Sequence, residues 1–208
     1  MAVSSSSPAV AARCAHAKAG VGVVASQNIT DPRLGPKTLL AMAEGHSAPE
    51  VVKMIINASK NADFRQLLAV DARGNAAIYS GSKSLGTHAD FASHNAAAAG
   101  NLLANPAIPE AMVITFHHGT GHLGDRLIDA MRAALALGGE AGALHSAGLL
   151  LVGEQEWPMA DLRCDWTEDC PIEAVAAAWN IYKPQMDDYI VRALDPAKAP
   201  QYGVPGDE

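Results

Sequence analysis

Two early apolar stretches, each ending in small polar residues, set the pattern of this chain. Ala2-Val3 runs into Ser4 to Ser7, and Val21, Val23 and Val24 stand around Gly20 and Gly22 before Ser26-Gln27-Asn28. β-Branched residues interrupted by glycine predict a buried strand that another backbone or a ligand approaches closely. Between the two stretches, Ala9 to Lys18 shows no clear period and carries Arg13, His16 and Lys18. A turn-rich segment, Thr30 to Pro36, leads to a helix over 38–45 with Leu39, Leu40, Met42 and Ala43 inward and Gly45 as its stop. Ser47 and Glu50 form a capping-box pattern with Pro49 between them, and Val51, Val52, Ile55 and Ile56 share one face of the helix that follows. Residues 38 onward therefore predict a helical hairpin.

The period then changes. Phe64 to Gly81 reads as a β-hairpin around Asp71 to Asn75. Ser80 to Asp90 reads as a loop or a weak edge strand, and Ala96 to Leu103 holds a polar Gly100-Asn101 pair in an apolar setting. Pro106 and Pro109 open a helix to Phe116, and a second helix runs from Leu123 to Leu137 and stops at Gly138-Gly139. Ser146 to Gly153 is a strongly apolar strand, with Met159 to Trp166 as its antiparallel partner. A helix from Pro171 to Tyr182, a break at Pro184 and a short helix over 187–194 complete a single domain, 1–194, followed by a loose Pro/Gly-rich tail, 195–208. Clustered strands with helices in pairs predict a layered α+β domain rather than βαβ units.

Composition narrows the function. The chain has 208 residues, 49% apolar and 18% charged, enough for one domain with a sizeable core. A net charge of −7 without any Lys/Arg cluster excludes a general nucleic-acid binder. No apolar run approaches the roughly 20 residues that span a bilayer, and no charged segment followed by an apolar one marks a signal peptide. Three cysteines, Cys14, Cys164 and Cys170, without CxxC spacing point to free thiols in a reducing cytoplasm. The glycine-rich and nucleophile-elbow motifs of nucleotide-binding and serine-hydrolase folds are missing from the strand-turn-helix contexts they need.

The segments AGVGVVASQ (19–27), FRQLLAVDARGNAAIYSG (64–81), AAGNLLAN (98–105) and HSAGLLLV (145–152) resemble, in the right order, the family filed as domain of unknown function 1028. The resemblance runs from about Ala2 to about Trp166. It implies an Ntn-hydrolase-like, four-layer αββα sandwich: two antiparallel sheets face to face, with helices outside. Members of that family usually begin with a strand carrying a Thr just after the initiator Met; here the first stretch matches their second strand. An Ntn hydrolase uses the side chain of residue one as nucleophile and its own α-amine as base, and neither Met1 nor Ala2 supplies that side chain. The family's activity is poorly defined, so the resemblance carries fold more than function.

The candidate chemistry follows from the residues. Ser5 and Ser6, just past Val3, supply either a hydroxyl nucleophile or oxyanion donors, or are turn-forming serines at a strand end. Arg13 suits a bidentate grip on a substrate carboxylate, or lies on the surface. Gln27 and Asn28 follow the glycine strand, where they can hydrogen-bond a carbonyl or amide. Asn101, flanked by apolar residues, is either an oxyanion donor or the tie of a backbone bend. His145, before the apolar strand, is either an acid/base near neutral pH or a strand-end histidine. His117, His118 and His122 are a tempting metal cluster, but Gly119 and Gly121 break the helix and no Cys, Asp or Glu completes a tetrahedral set. Trp157, Trp166 and Trp179 are expected as core or interface anchors.

These residues lead to the expectation of a cytoplasmic hydrolase that cleaves a C–N bond of a small carboxylate-bearing metabolite and releases ammonia. An imine or enamine deaminase working by water attack is more economical than an amidase needing an activated serine. The alternative is a non-catalytic member of the fold that binds a metabolite or serves as an assembly subunit. No cofactor and no metal are expected; the partners expected are a small-molecule substrate and further copies of the chain, with neither nucleic acid nor membrane.

Overall fold

In the computed structural model, whose described residues are 1–204, the two early stretches become strands of different sheets. β1 (Ala2–Ser5) pairs antiparallel with β8 (Ser146–Leu151), and β8 with β9 (Ala160–Cys164). β2 (Ala15–Lys18), β3 (Gly22–Asn28), β4 (Arg65–Asp71) and β5 (Ala76–Ser80) form a second antiparallel sheet in that order. β6 (Ala89–Ser93) and β7 (Ala96–Gly100) make a separate hairpin.

Helices cover one face of each large sheet. α2 (Leu34–Ala43) and α3 (Ala48–Asn57) pack on Val24, Leu67 and Ala69 of the second sheet. α5 (Leu123–Ala136) and α6 (Pro171–Tyr182) pack on Ala147, Leu149, Leu151 and Ala160 of the first. α4 (Ile108–His118) lies on the β6–β7 hairpin through Val113, Met112 and Phe116. Because strand side chains alternate, Val3 on β1, Val23 and Ala25 on β3, and Leu68 and Val70 on β4 are left on the faces turned away from those helices, and all of them border one internal space. No helix among the described residues is long and apolar enough to cross a membrane.

Several local expectations hold in detail. The Ser47 backbone N–H donates to Glu50 at 2.8 Å, the return bond of the capping box. In the β4–β5 hairpin, Asp71 accepts from the backbone N–H groups of Arg73 and Asn75 and from the Asn75 amide. It also accepts from the Ala48 N–H at 3.0 Å, which ties the turn to the start of α3. Burial alone would push the Asp71 carboxyl up, but these donors outweigh it and hold it below its usual range. Gly22 has φ +148, and a Cβ there would run into the Val70 carbonyl, so the close backbone approach expected at this strand is real.

Other expectations change. Ala9 to Lys18 is not irregular: it holds α1 (Val10–Cys14), entered through Ala9 at φ 53, and then the edge strand β2. Five residues are too short for a helical period to show. β6 lies at 89–93, with Asn95 in the left-handed region making the turn to β7. α2 starts at Leu34, because Pro36 falls in the first turn, where no intrahelical N–H is needed. The described part of the tail after α7 (Met186–Leu194) makes contacts with that helix. Arg192 donates to the carbonyls of Pro200 and Gln201 and lies over the Tyr202 ring. The last four tail positions, 205–208, lie outside the described residues.

His16 gives the fold a pH dependence. Its ring sits against Gly35 of α2, where a Cβ would collide with it, and its Nε2 is buried without a hydrogen-bond partner. Burial pushes its pKa below the usual 6.5, with a backbone hydrogen bond to Arg13 opposing in part. The unfolded chain therefore takes up a proton that the native ring resists. Stability should fall as pH drops through about 6.5 and level off only once the buried ring is itself protonated. Urea unfolding at steps from pH 7.5 to 5 checks this, and His16→Leu should flatten that slope. An unchanged slope would place the titrating group elsewhere.

Candidate functional site

The internal space is a cavity of about 430 Å³, within the range of small-molecule sites. β1 and the residues after it form one wall, β3 and β4 another, and β7, α4 and α5 contribute further lining, as do Arg13, Asn101 and Glu140 outside those elements. Most of the lining is apolar: Val3, Val23, Leu68, Met112, Leu127 and Met131 are examples. Polar groups enter it from Ser4 to Ser7, Arg13, Gln27, Asn28, Asn101 and Glu140.

Where β1 ends, the serine run turns and its groups bond to one another. Ser7 N–H donates to Ser5 Oγ at 3.1 Å, and the two hydroxyls share a hydrogen bond of 2.9 Å. Arg13 Nη2 donates to Ser7 Oγ at 2.8 Å and to the Pro8 carbonyl at 2.7 Å. Ser146, fully buried, holds the turn from behind: its hydroxyl donates to the Ser7 carbonyl at 2.6 Å and accepts from Val10 N–H. Every acceptor of Arg13 is neutral, and among the described residues no carboxylate lies within ion-pair distance of it. A guanidinium at the wall of a mostly apolar cavity with no direct ion-pair partner is a ready site for an anion.

Glu140 is the group that sequence reasoning missed. Its Oε2 accepts from Ser6 N–H at 2.8 Å, so the carboxylate is held beside the end of β1. It gets there through a single antiparallel bridge to Leu103, reinforced by Ala104 N–H to the Gly139 carbonyl and Ala141 N–H to the Leu102 carbonyl. Nothing in the local sequence marks it beyond its place just after the Gly138-Gly139 helix stop. Ser7 was missed as well, though it stood in the same run as Ser5 and Ser6.

The structure brings most of the expected residues together and separates one. Ser5, Ser6, Arg13, Gln27, Asn28 and Asn101 all line the cavity. The Asn101 side chain forms no hydrogen bond with the described residues, so it ties down no bend and its amide remains available. Asn28, at φ 68, is committed: it donates to the Phe64 carbonyl and accepts from Leu85 N–H, so its part is to hold a loop. His145 is the correction. Its ring does not line the cavity; it stacks on Trp166 at 4.2 Å, and Nδ1 meets the Thr167 carbonyl at 2.7 Å. Only its backbone, donating to the Ser5 carbonyl, touches the site. Cys14 also borders the cavity, but burial pushes its thiol up, with Thr30 and Arg13 countering only in part, which disfavours the nucleophilic thiolate.

His117 bonds to Ser93, and His122 caps α5 by accepting from Gly124 N–H, so these two histidines serve local structure. Among the described residues no three His, Cys, Asp or Glu side chains converge as a metal site. Of the tryptophans, Trp179 is a core anchor at 1% exposure, whereas Trp157 and Trp166 are exposed.

These features define an α+β protein with two helix-backed antiparallel sheets and an internal cavity whose lining is mostly apolar with several polar side chains. The chain belongs to the family of unknown function DUF1028, whose model matches residues 1–175. It is similar to the crystal structure of protein SPO2555 from Silicibacter pomeroyi, assigned to the same family: TM-score 0.81 and 26% identity, over 88% of this chain and 82% of that one. No curated protein matches it.

Proposed function

We propose that the cavity is the reaction site of a hydrolase that cleaves a C–N bond in a small, partly apolar, carboxylate-bearing metabolite and releases ammonia. The observation that carries this reading is the convergence of Arg13, Glu140 and Asn101 on one apolar cavity. Arg13 anchors the substrate carboxylate. Glu140 takes a proton from an attacking water and returns it to the departing nitrogen. The Asn101 amide donates to the oxygen or nitrogen on which negative charge develops. For an imine, water adds across C=N and the carbinolamine then expels ammonia, leaving a ketone or aldehyde. For an amide, the products are a carboxylic acid and ammonia.

Water is favoured over a serine nucleophile by the hydrogen bonds at the site. Ser5 Oγ accepts from the Ser7 N–H and shares a hydrogen bond with the Ser7 hydroxyl, and neither Ser5 nor Ser6 has a histidine or carboxylate hydrogen-bonded to its hydroxyl among the described residues. The reading also includes the finer architecture: the two sheets face each other across the cavity as an Ntn-hydrolase-like, four-layer αββα sandwich. Three free cysteines among the described residues fit a cytoplasmic setting, and self-association of the chain belongs to the same proposal.

The test is ammonia release from a panel of small primary amides, ureas and amino-diene acids, each with a carboxylate. Arg13→Ala should raise KM by about ten- to a hundredfold, the loss of one charge-assisted contact, with kcat little changed. Activity undiminished in both Arg13→Ala and Asn101→Ala would remove this site. Binding of the panel without any turnover would favour the second reading, a non-catalytic metabolite-binding member of the fold.

A further inference from the structure

We infer that Gln27 presents only its carbonyl oxygen to the cavity, so that the ligand must offer an N–H there, and that a hydrogen-bond chain through the sheet to Asp90 enforces this polarity. The inference rests on the cavity being a ligand site and adds what the ligand must carry.

The chain can be followed atom by atom. Gln27 Nε2 donates to Gln66 Oε1 at 2.7 Å and to the Ala99 carbonyl at 2.9 Å. Gln66, fully buried, uses its own Nε2 on Ser80 Oγ at 2.9 Å and on the Gly100 carbonyl at 3.3 Å. Ser80 Oγ donates to the exposed Asp90 carboxylate at 2.6 Å. The direction of every bond follows from acceptor-only groups. An ionised carboxylate and two backbone carbonyls cannot donate, so Ser80 must donate to Asp90 and both amide nitrogens must point at the carbonyls. Flipping either glutamine would set oxygen against oxygen.

Both hydrogens of Gln27 Nε2 are therefore spent inside the protein. Its Oε1 accepts nothing from the described residues and is not sealed from solvent, while the residue lines the cavity. Gln27 cannot donate to a substrate carbonyl; it can only accept. A primary amide, an amine or an imine N–H satisfies it, whereas an ester or ether oxygen in the same place meets it lone pair to lone pair. Asp90, Ser80 and Gln66 act as positioning residues, fixing which end of the Gln27 amide faces the ligand.

The experiment uses matched probes: N-acetylvaline, N-acetylphenylalanine and N-benzoylglycine, each against the compound with oxygen in place of the N–H. Affinities for the intact chain are measured by calorimetry or ligand-observed NMR. The amides should bind about tenfold or more tightly than their oxygen counterparts, and Gln27→Met should erase that preference while leaving the oxygen compounds within about twofold. Equal binding of the pairs in the unmodified protein, or a preference that survives Gln27→Met, overturns the assignment while leaving the cavity a carboxylate site. Failure of every probe of both kinds to bind overturns the carboxylate-site reading and the inference with it. An independent measurement needs no ligand or variant: both Gln27 side-chain amide protons should be protected from solvent exchange, and rapid exchange of either breaks the argument.

Discussion

Glu140→Gln is expected to lower kcat for ammonia release by about 10²- to 10⁴-fold, the usual worth of a positioned general base, with KM little changed. The substitution is nearly isosteric. The Gln carbonyl oxygen can still accept from Ser6 N–H, which now reaches Glu140 at 2.8 Å, so the end of β1 keeps its support. What is lost is the capacity to take a proton. An amide is not a base in water, and among the described residues no other carboxylate or histidine lines the cavity to take over, His145 having its ring on Trp166. Steady-state kinetics beside a thermal melt separate the two roles. A low kcat with an unchanged melting temperature marks Glu140 as the base, whereas unchanged kinetics would leave it with a structural part only.

The second large effect concerns the fold. Trp179→Ala should cost about 3–5 kcal/mol of unfolding free energy, the range for removing a buried large aromatic. The indole is 1% exposed among Ile128, Met131, Ala147, Leu149 and Val175, and it joins α5 and α6 to the β1–β8–β9 sheet. Gly124 has no Cβ where the ring lies, so the site is shaped to this side chain. Nε1 donates to Asp125 at 2.8 Å; the same carboxylate accepts from Lys183 and caps α5 through His122 N–H. Trp179→Phe separates the contributions, because it keeps most of the buried area and gives up the hydrogen bond to the Asp125 carboxylate, worth about 1.5–3 kcal/mol for a charged acceptor. Urea unfolding of the three proteins measures both. A Trp179→Ala loss no larger than that of Trp179→Phe would mean that the neighbouring side chains collapse into the space.

Elements with a strong period or specific turn chemistry were legible before any coordinates. The capping box at Ser47 and Glu50, the Asp71 turn and the glycine strand through Gly22 each follow from interactions a few residues apart, or from the one residue type that tolerates a crowded backbone. The early strand ends were legible for the same reason, and Ser5, Gln27 and Asn101 do meet at one cavity. His145 misled because its place at the start of an apolar strand says where its backbone lies and nothing about which way its ring turns. α1 was invisible because five residues cannot display a helical period.

The sequence by itself determined most of the order of strands and helices, α1 and β2 excepted, and the polar character of the early strand ends, since these depend on short-range patterns of hydrophobicity and backbone freedom; on α2 it set Leu40 and Ala43 inward, where the structure leaves both exposed. Only the tertiary structure decided the chemistry. Glu140 lies 134 positions from the Ser6 N–H it faces, and the Gln27–Gln66–Ser80–Asp90 chain joins three strands of one sheet to a separate hairpin. Such contacts are made by the packing of whole elements, which brings distant residues within hydrogen-bond reach without leaving any mark on their neighbours in the chain.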